Sequence, residues 1–150
     1  MKKSFLSLVT ILFIFGCFTV SVFAAGECVL TQSGTHPGQD IMWRQYTCTA
    51  DASDGSVPAH TITGLSGFYL YSVETWPGAT APTDASDLTL LDATTGEDLL
   101  GGNGTDAVDA TTPKTIAPKS TAMDLNFYHM VKGNLTMNIT NNSVNSAIGS

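Results

Sequence analysis

The chain has 150 residues, of which 43% are hydrophobic, so it is long and apolar enough to form one folded domain. Thirteen acidic and six basic residues give a formal net charge of −7 at pH 7. This balance argues against binding to the phosphate backbone of nucleic acids, which requires clustered Lys and Arg.

The first 24 residues have the pattern of a secretory signal peptide. Two lysines follow the initial Met, and a mostly apolar stretch extends over residues 5–23. Small or medium residues precede Ala25 at the positions that a signal peptidase requires. The sequence therefore predicts a hydrophobic signal helix over residues 1–24, followed by a single exported domain over residues 25–150.

One alternative for the leader stays open. Its apolar stretch of 19 residues is just long enough to span a bilayer, so an uncleaved signal anchor in the inner membrane is the other interpretation. A lipoprotein signal ending at Cys17 fits less well, because Phe15 is bulky for that motif and the apolar stretch continues beyond the cysteine. In either case, the leader is the only segment that we predict to contact a membrane.

Cys28 and Cys48 are the only cysteines after the leader, and we predict that they form a disulfide. Export places them in an oxidising compartment, in which paired cysteines are the default. Predicted strands over residues 27–33 and 41–50 are joined by a turn-rich segment. A hairpin centred on residue 38 pairs positions whose numbers sum to 76, which puts the two cysteines opposite each other. The alternative is two free buried thiols.

The rest of the chain alternates strand-forming runs with turn signals. Val, Ile, Thr, Tyr and Phe are enriched in the runs, and Gly, Pro, Asn and Asp lie between them. No stretch after the leader has helical periodicity, so we predict an all-β fold, an antiparallel β-sandwich of jelly-roll type. The predicted strands are residues 60–64, 68–75, 87–92, 98–100, 114–117, 124–131 and 134–140.

Three of these segments carry more detailed predictions. Strict alternation over residues 135–140 should place Leu135, Met137 and Ile139 on one buried face. Residues 68–75 are apolar on both faces, which predicts a strand that is central in its sheet or covered on both sides. Residues 87–100 should form a hairpin in which Gly96 supplies a positive φ at the turn.

The sequence lacks the common catalytic motifs, and we predict that the protein is not an enzyme and needs no cofactor. It has no His-Glu-x-x-His pattern, no Gly-x-Ser-x-Gly pattern and no phosphate-binding glycine loop. Asp92 and Asp98 weakly match the spacing of a calcium loop, but the terminal bidentate Glu is missing. Solvation of a hairpin turn explains these two residues better than a metal site does.

Aromatic residues provide the one candidate binding surface. Trp76 adjoins Pro77 and Gly78 in a predicted loop and is the best candidate for exposure, with Tyr69 and Tyr71 as further candidates. Such rings can stack on sugars, which makes a glycan the candidate ligand. Core packing explains the same residues in a sandwich, because about half of its aromatic side chains face inward.

Several spaced motifs extend over most of residues 45–150. They are Thr49–Pro58, Gly64-Leu-Ser-Gly67, Pro77–Thr83, Asp87-Leu-Thr-Leu90, Gly96–Gly102, Gly133-Asn-Leu-Thr136 and Asn141–Asn145. Their order resembles small, uncharacterised β-rich proteins that are encoded in phage and prophage structural gene clusters. The resemblance implies a virion-associated or assembly role and brings no catalytic residues with it. The export signal departs from this pattern, because virions assembled in the cytoplasm do not need one.

These observations lead to one functional prediction and two alternatives. We predict a non-catalytic structural or interaction protein of the periplasm, the extracellular space or the virion surface, which contacts other protein subunits and forms a homo-oligomer. A secreted module that binds carbohydrate or a cell-surface ligand is the first alternative. A filament or pilus-like subunit is the second, because an open edge at the last strand, near Ser150, would accept a strand from a neighbour. Nucleic acid is not an expected partner.

Overall fold

The structure, a computed structural model, describes residues 25–36, 38 and 40–150. Within these residues the chain is all-β, with ten strands that pair only in antiparallel fashion. The predicted all-β antiparallel fold is therefore confirmed at this level. The predicted signal helix lies outside the described residues, and no helix in the described part is long and apolar enough to cross a membrane.

The ten strands form four sheets. The strands are β1 (Glu27–Thr35), β2 (Met42–Thr49), β3 (His60–Ile62), β4 (Val73–Thr75), β5 (Asp87–Asp92), β6 (Lys114–Ile116), β7 (Lys119–Ser120), β8 (Leu125–Asn126), β9 (Leu135–Thr140) and β10 (Ile148–Gly149). Two sheets have three strands, in the orders β1-β2-β10 and β3-β9-β5, and β4-β6 and β7-β8 form two-stranded ribbons.

The hairpin β1-β2 has the predicted register in its first half. Cys28 lies opposite Cys48, and the two residues form the predicted disulfide. A β-bulge after Leu30 then shifts the pairing by one residue, so that Gly34 lies opposite Trp43. A Cβ atom at Gly34 would lie 2.9 Å from Nε1 of that indole, so the glycine makes room for the Trp43 ring.

The last strand is covered on both sides. β10 pairs with β2 on one side, and on the other side residues 76–80 bind its backbone. The Ile148 amide donates to the Thr80 carbonyl at 2.8 Å, and the Trp76 and Ser150 backbones exchange two hydrogen bonds. The predicted open edge at the last strand is therefore wrong, because a distant loop of the same chain occupies it.

The second sheet supplies much of the hydrophobic core. Alternate residues of β5, namely Leu88, Leu90 and Asp92, are buried. In the central strand β9, Leu135 is fully buried, and Met137 and Ile139 pack partly buried against the same core, as the alternation predicts. The remaining buried members of this core are Ile62, Leu99, Leu100, Ala107, Val108, Ile116 and Val131.

The prediction of a central strand over residues 68–75 is wrong. Only residues 73–75 form a strand, and β4 pairs solely with β6 among the described strands. Tyr69 and Tyr71 are exposed. The physical reason is that this segment lies at the surface, where tyrosine rings can bury one edge and leave their hydroxyls hydrated.

The turn of the predicted hairpin over residues 87–100 is confirmed, but its return arm is not a strand. Gly96 has a φ of 71°, and its amide donates to the Asp92 carbonyl at 2.7 Å. Beyond the turn, the Asp98 carboxylate accepts the amides of Leu90 and Leu100. These side-chain bonds turn the chain away from an extended course, since they satisfy amides that a regular ladder would otherwise pair.

Candidate functional site

Residues 67–71 run antiparallel to residues 128–131 along one surface of the protein. The Leu70 amide donates to the His129 carbonyl at 2.8 Å, and the Val131 amide donates to the Phe68 carbonyl at 2.9 Å. Tyr69 lies opposite Met130, between these two bonds. Tyr69 and Met130 therefore form a non-hydrogen-bonded pair, the type in which opposing side chains approach most closely.

Alternation along both segments separates an inner face from an outer one. Leu70, His129 and Val131 point inward, and Val131 belongs to the core. The outer face consists of four large side chains, which we call the aromatic face. They are Tyr69, Tyr71, Tyr128 and Met130, with exposed fractions of 66%, 69%, 53% and 44%.

Two tyrosines of the aromatic face stack on each other. The ring centroids of Tyr71 and Tyr128 are 5.1 Å apart, with an interplanar angle of 17°. The Tyr71 phenol raises the pKa of Tyr128, first by charge repulsion and then by hydrogen bonding. The stack fixes the orientation of both rings, so this surface is organised before any partner binds.

Exposed apolar side chains continue along the chain from the aromatic face. Met123, Leu125 and Phe127 are each more than half exposed, and Leu125 lies in the ribbon β7-β8. Apolar patches of this kind on soluble proteins often mark contact sites for other molecules. This stretch therefore extends the area over which a partner could be bound.

A groove of about 240 Å³ lies beside the aromatic face. Its lining combines the large side chains of Tyr69, Phe127 and Met130 with the polar groups of Glu97, His129 and Lys132. The His129 Nε2 lies 3.0 Å from the Lys119 carbonyl oxygen, which holds the ring in place. Its Nδ1 is 3.7 Å from Oε1 of Glu97, which is too far for a hydrogen bond.

The structure brings together two of the three aromatic candidates. Tyr69 and Tyr71 share the aromatic face, whereas Trp76 lies against the last strand, where its backbone binds Ser150. Tyr128 and Met130 could not be recognised from the sequence, because nothing local shows that residues 128–131 pair with residues 67–71. Their only sequence signal is the position of Tyr128 and Met130 on one face of a predicted strand.

The carboxylate of Asp92 binds backbone amides. Asp92 is 1% exposed, and its two oxygens accept the amides of Thr94 at 2.8 Å, Thr95 at 3.3 Å, Lys132 at 2.7 Å and Gly133 at 3.3 Å. Burial alone would raise the pKa of Asp92, but these bonds outweigh it and hold the pKa below its ordinary value.

The other calcium candidate has a similar structural role. Both carboxylate oxygens of Asp98 accept backbone amides, from Leu90, Leu100 and Gly102. Among the residues that the structure describes, no three His, Cys, Asp or Glu side chains are grouped so as to hold a metal ion. Both aspartates therefore cap the backbone amides of turns.

Comparisons of the chain with protein-family models, with curated proteins and with solved structures found no match. The aromatic face and the adjoining groove thus have to be interpreted from their own chemistry. Together they offer a preorganised apolar surface beside a small polar recess, an arrangement suited to binding.

Proposed function

We propose that this protein is a non-catalytic, exported structural or interaction protein that binds a partner surface through its aromatic face. The observation that carries this proposal is the exposure of Tyr69, Tyr71, Tyr128 and Met130 on one side of a ladder. Tyrosine is enriched among the residues that dominate binding energy, because its ring supplies a large contact area at low entropic cost.

The anchoring of the aromatic face supports this function. Val131 is in the core, and His129 binds the Lys119 carbonyl, so the inner side of the ladder is held firmly. The aromatic face itself contains no charged side chain, although the chain carries a net charge of −7. A partner can therefore reach this surface against less electrostatic repulsion than elsewhere on the protein.

We extend the proposal to architecture and location. The core draws residues from β3, β5, β6 and β9, which supports a sandwich of jelly-roll type. The Cys28–Cys48 disulfide supports an oxidising compartment such as the periplasm, the extracellular space or a virion surface. Within that setting, the resemblance to phage and prophage proteins favours a virion-associated role among other protein subunits.

The groove favours a second candidate function, the binding of carbohydrate. The rings of Tyr69 and Phe127 in the groove lining could cover one face of a sugar ring, while Glu97 and Lys132 could bind its hydroxyl groups. A volume of about 240 Å³ suits a single sugar unit better than a larger ligand. This candidate would make the protein a module that binds glycans.

A double variant tests the aromatic face. We expect Tyr71→Ser/Tyr128→Ser to weaken binding of the exported protein to purified virions or cell envelopes by at least about tenfold, because truncation of central aromatic contacts is costly. The measurement is sedimentation of labelled protein with these particles. Trp76→Ala, which removes an exposed ring outside the aromatic face, is the matched control and should bind like the wild type.

The same assay separates the two candidate functions. Glu97→Gln should leave binding to virions and envelopes unchanged, and it should reduce retention on a glycan array only if the groove holds sugar. A wild-type protein that binds none of these three targets would contradict the proposal, as would a double variant that binds as strongly as the Trp76→Ala control.

A further inference from the structure

Strand β1 forms an edge of its sheet. One edge of β1 pairs with β2 from Glu27 to Thr35, with the bulge after Leu30 as the one interruption. Among the described residues, no backbone group forms a hydrogen bond with the other edge of β1. The opposite side of the sheet is closed, because residues 76–80 bind the last strand. This sheet therefore offers one side on which a further strand could be added.

The disulfide shows which backbone groups point outward. The Cα atoms of Cys28 and Cys48 are 4.0 Å apart, the short spacing of a non-hydrogen-bonded pair. The amide and carbonyl of Cys28 therefore face away from β2, and those of Leu30 do so as well, because the pattern repeats every two residues. Val29, between them, directs its backbone groups to Thr47.

The edge lacks most features that prevent strand addition. Residues 28–35 contain no charged residue and no proline, and both Val29 and Leu30 have exposed side chains. The β-bulge after Leu30 is the one protective feature, and it ends the regular part of the edge there. A short segment with outward backbone groups is left, residues Glu27–Leu30, in which Glu27 is the only charged residue.

We propose that this segment pairs with the same segment of a second copy of the chain, around a two-fold axis at Val29. In this antiparallel arrangement, Cys28 of each copy lies opposite Leu30 of the other, and the two pairs exchange four hydrogen bonds. The two Val29 side chains meet at the axis. Glu27 lies opposite Thr31, so the pairing brings no carboxylates face to face.

Charge favours a second copy at this position. Two acidic chains repel each other over most of their surfaces, and an edge on which Glu27 is the only charged residue lets them approach with little repulsion. The two-fold axis closes the contact, which produces a dimer instead of a fibre. Because the segment is short, the dimer is weak. The inference deepens the proposed function and rests on it in taking contact between subunits as the role of the protein.

Sedimentation equilibrium of the exported protein, up to about 1 mM, tests the pairing. Leu30→Pro removes the outward amide but leaves the hydrogen bonds to β2, and proline is tolerated in this orientation on an edge strand. We expect this change to raise the dimer dissociation constant at least about tenfold, since each copy loses one bond. Ile41→Ser is the matched control, because Ile41 is an exposed aliphatic residue outside the edge, and this change should leave dimerisation unchanged.

Hydrogen exchange on the wild type gives a second measurement that needs no variant. The amides of Cys28 and Leu30 should become protected as the protein concentration rises, while the Val29 amide stays protected throughout. A protein that is monomeric at every concentration would overturn the inference. So would a dimer that persists in Leu30→Pro, or one whose formation leaves exchange at Cys28 and Leu30 unchanged.

The variants also separate this inference from the proposed function. Loss of dimerisation in Tyr71→Ser/Tyr128→Ser alone would place the interface on the aromatic face and overturn the edge pairing. A wild type that dimerises through the edge but binds no virion, envelope or glycan would contradict only the function of the aromatic face.

Discussion

Asp92→Ala is expected to destabilise the protein by about 3–5 kcal/mol, the largest effect that we predict for a single substitution. The carboxylate is buried and accepts four backbone amides from two separate segments, residues 94–95 and residues 132–133. Alanine would leave these amides without their acceptor and would open a small cavity at the end of β5. Equilibrium urea unfolding measures the loss directly.

Asp124→Asn is the control for this experiment, because asparagine tolerates the positive φ of 52° at this position. Its carboxylate is exposed and forms an ion pair with Lys119 at the surface. Exposed pairs contribute little to the free energy of unfolding, so the control should unfold like the wild type. Equal effects of the two substitutions would show that the bonds of Asp92 are not what stabilises this region.

The pH dependence of stability follows from the pKa of Asp92. This pKa is lower in the folded protein than in the unfolded chain, so the carboxylate stabilises the fold above a pH of about 4. The contribution is lost as the pH falls through the folded pKa. The difference in free energy of unfolding between the wild type and Asp92→Asn should therefore become smaller below a pH of about 4. A difference that stays constant with pH would contradict the lowered pKa of Asp92.

Local patterns predicted the parts of the fold in which one face is buried. The alternation of β9 and the turn at Gly96 are both local features of the sequence, and both are found. To predict that Cys28 lies opposite Cys48, only the centre of the hairpin had to be placed correctly, and the resulting register holds up to Leu30. The bulge that follows could not be predicted, because an unpaired extra residue leaves no signature in a polar strand.

The aromatic face depends on contacts between distant parts of the sequence. Residues 68–75 resembled a buried strand because apolar and aromatic side chains occupy both of their faces. Only their pairing with residues 128–131 decides which face is exposed. Similarly, the cover over the last strand comes from residues 76–80, a loop whose composition indicates a turn but not its position.

Removal of the disulfide is expected to lower the free energy of unfolding by about 3 kcal/mol. Cys28 and Cys48 are separated by 20 positions, and the cross-link restricts the unfolded chain by closing that loop. In the folded protein, both side chains are buried, so the double variant Cys28→Ala/Cys48→Ala also loses apolar contacts. Urea unfolding of this variant beside the wild type gives the difference.

Val29→Ala is a suitable control, because it shortens an exposed side chain of the same strand and keeps the cross-link. A reducing agent should destabilise the wild type and Val29→Ala by similar amounts and leave the double cysteine variant unchanged. That pattern would show that the lost free energy of unfolding comes from the disulfide bond rather than from side-chain packing. Two free thiols in the exported protein, detected by mass spectrometry, would contradict the disulfide and remove the main support for an oxidising compartment.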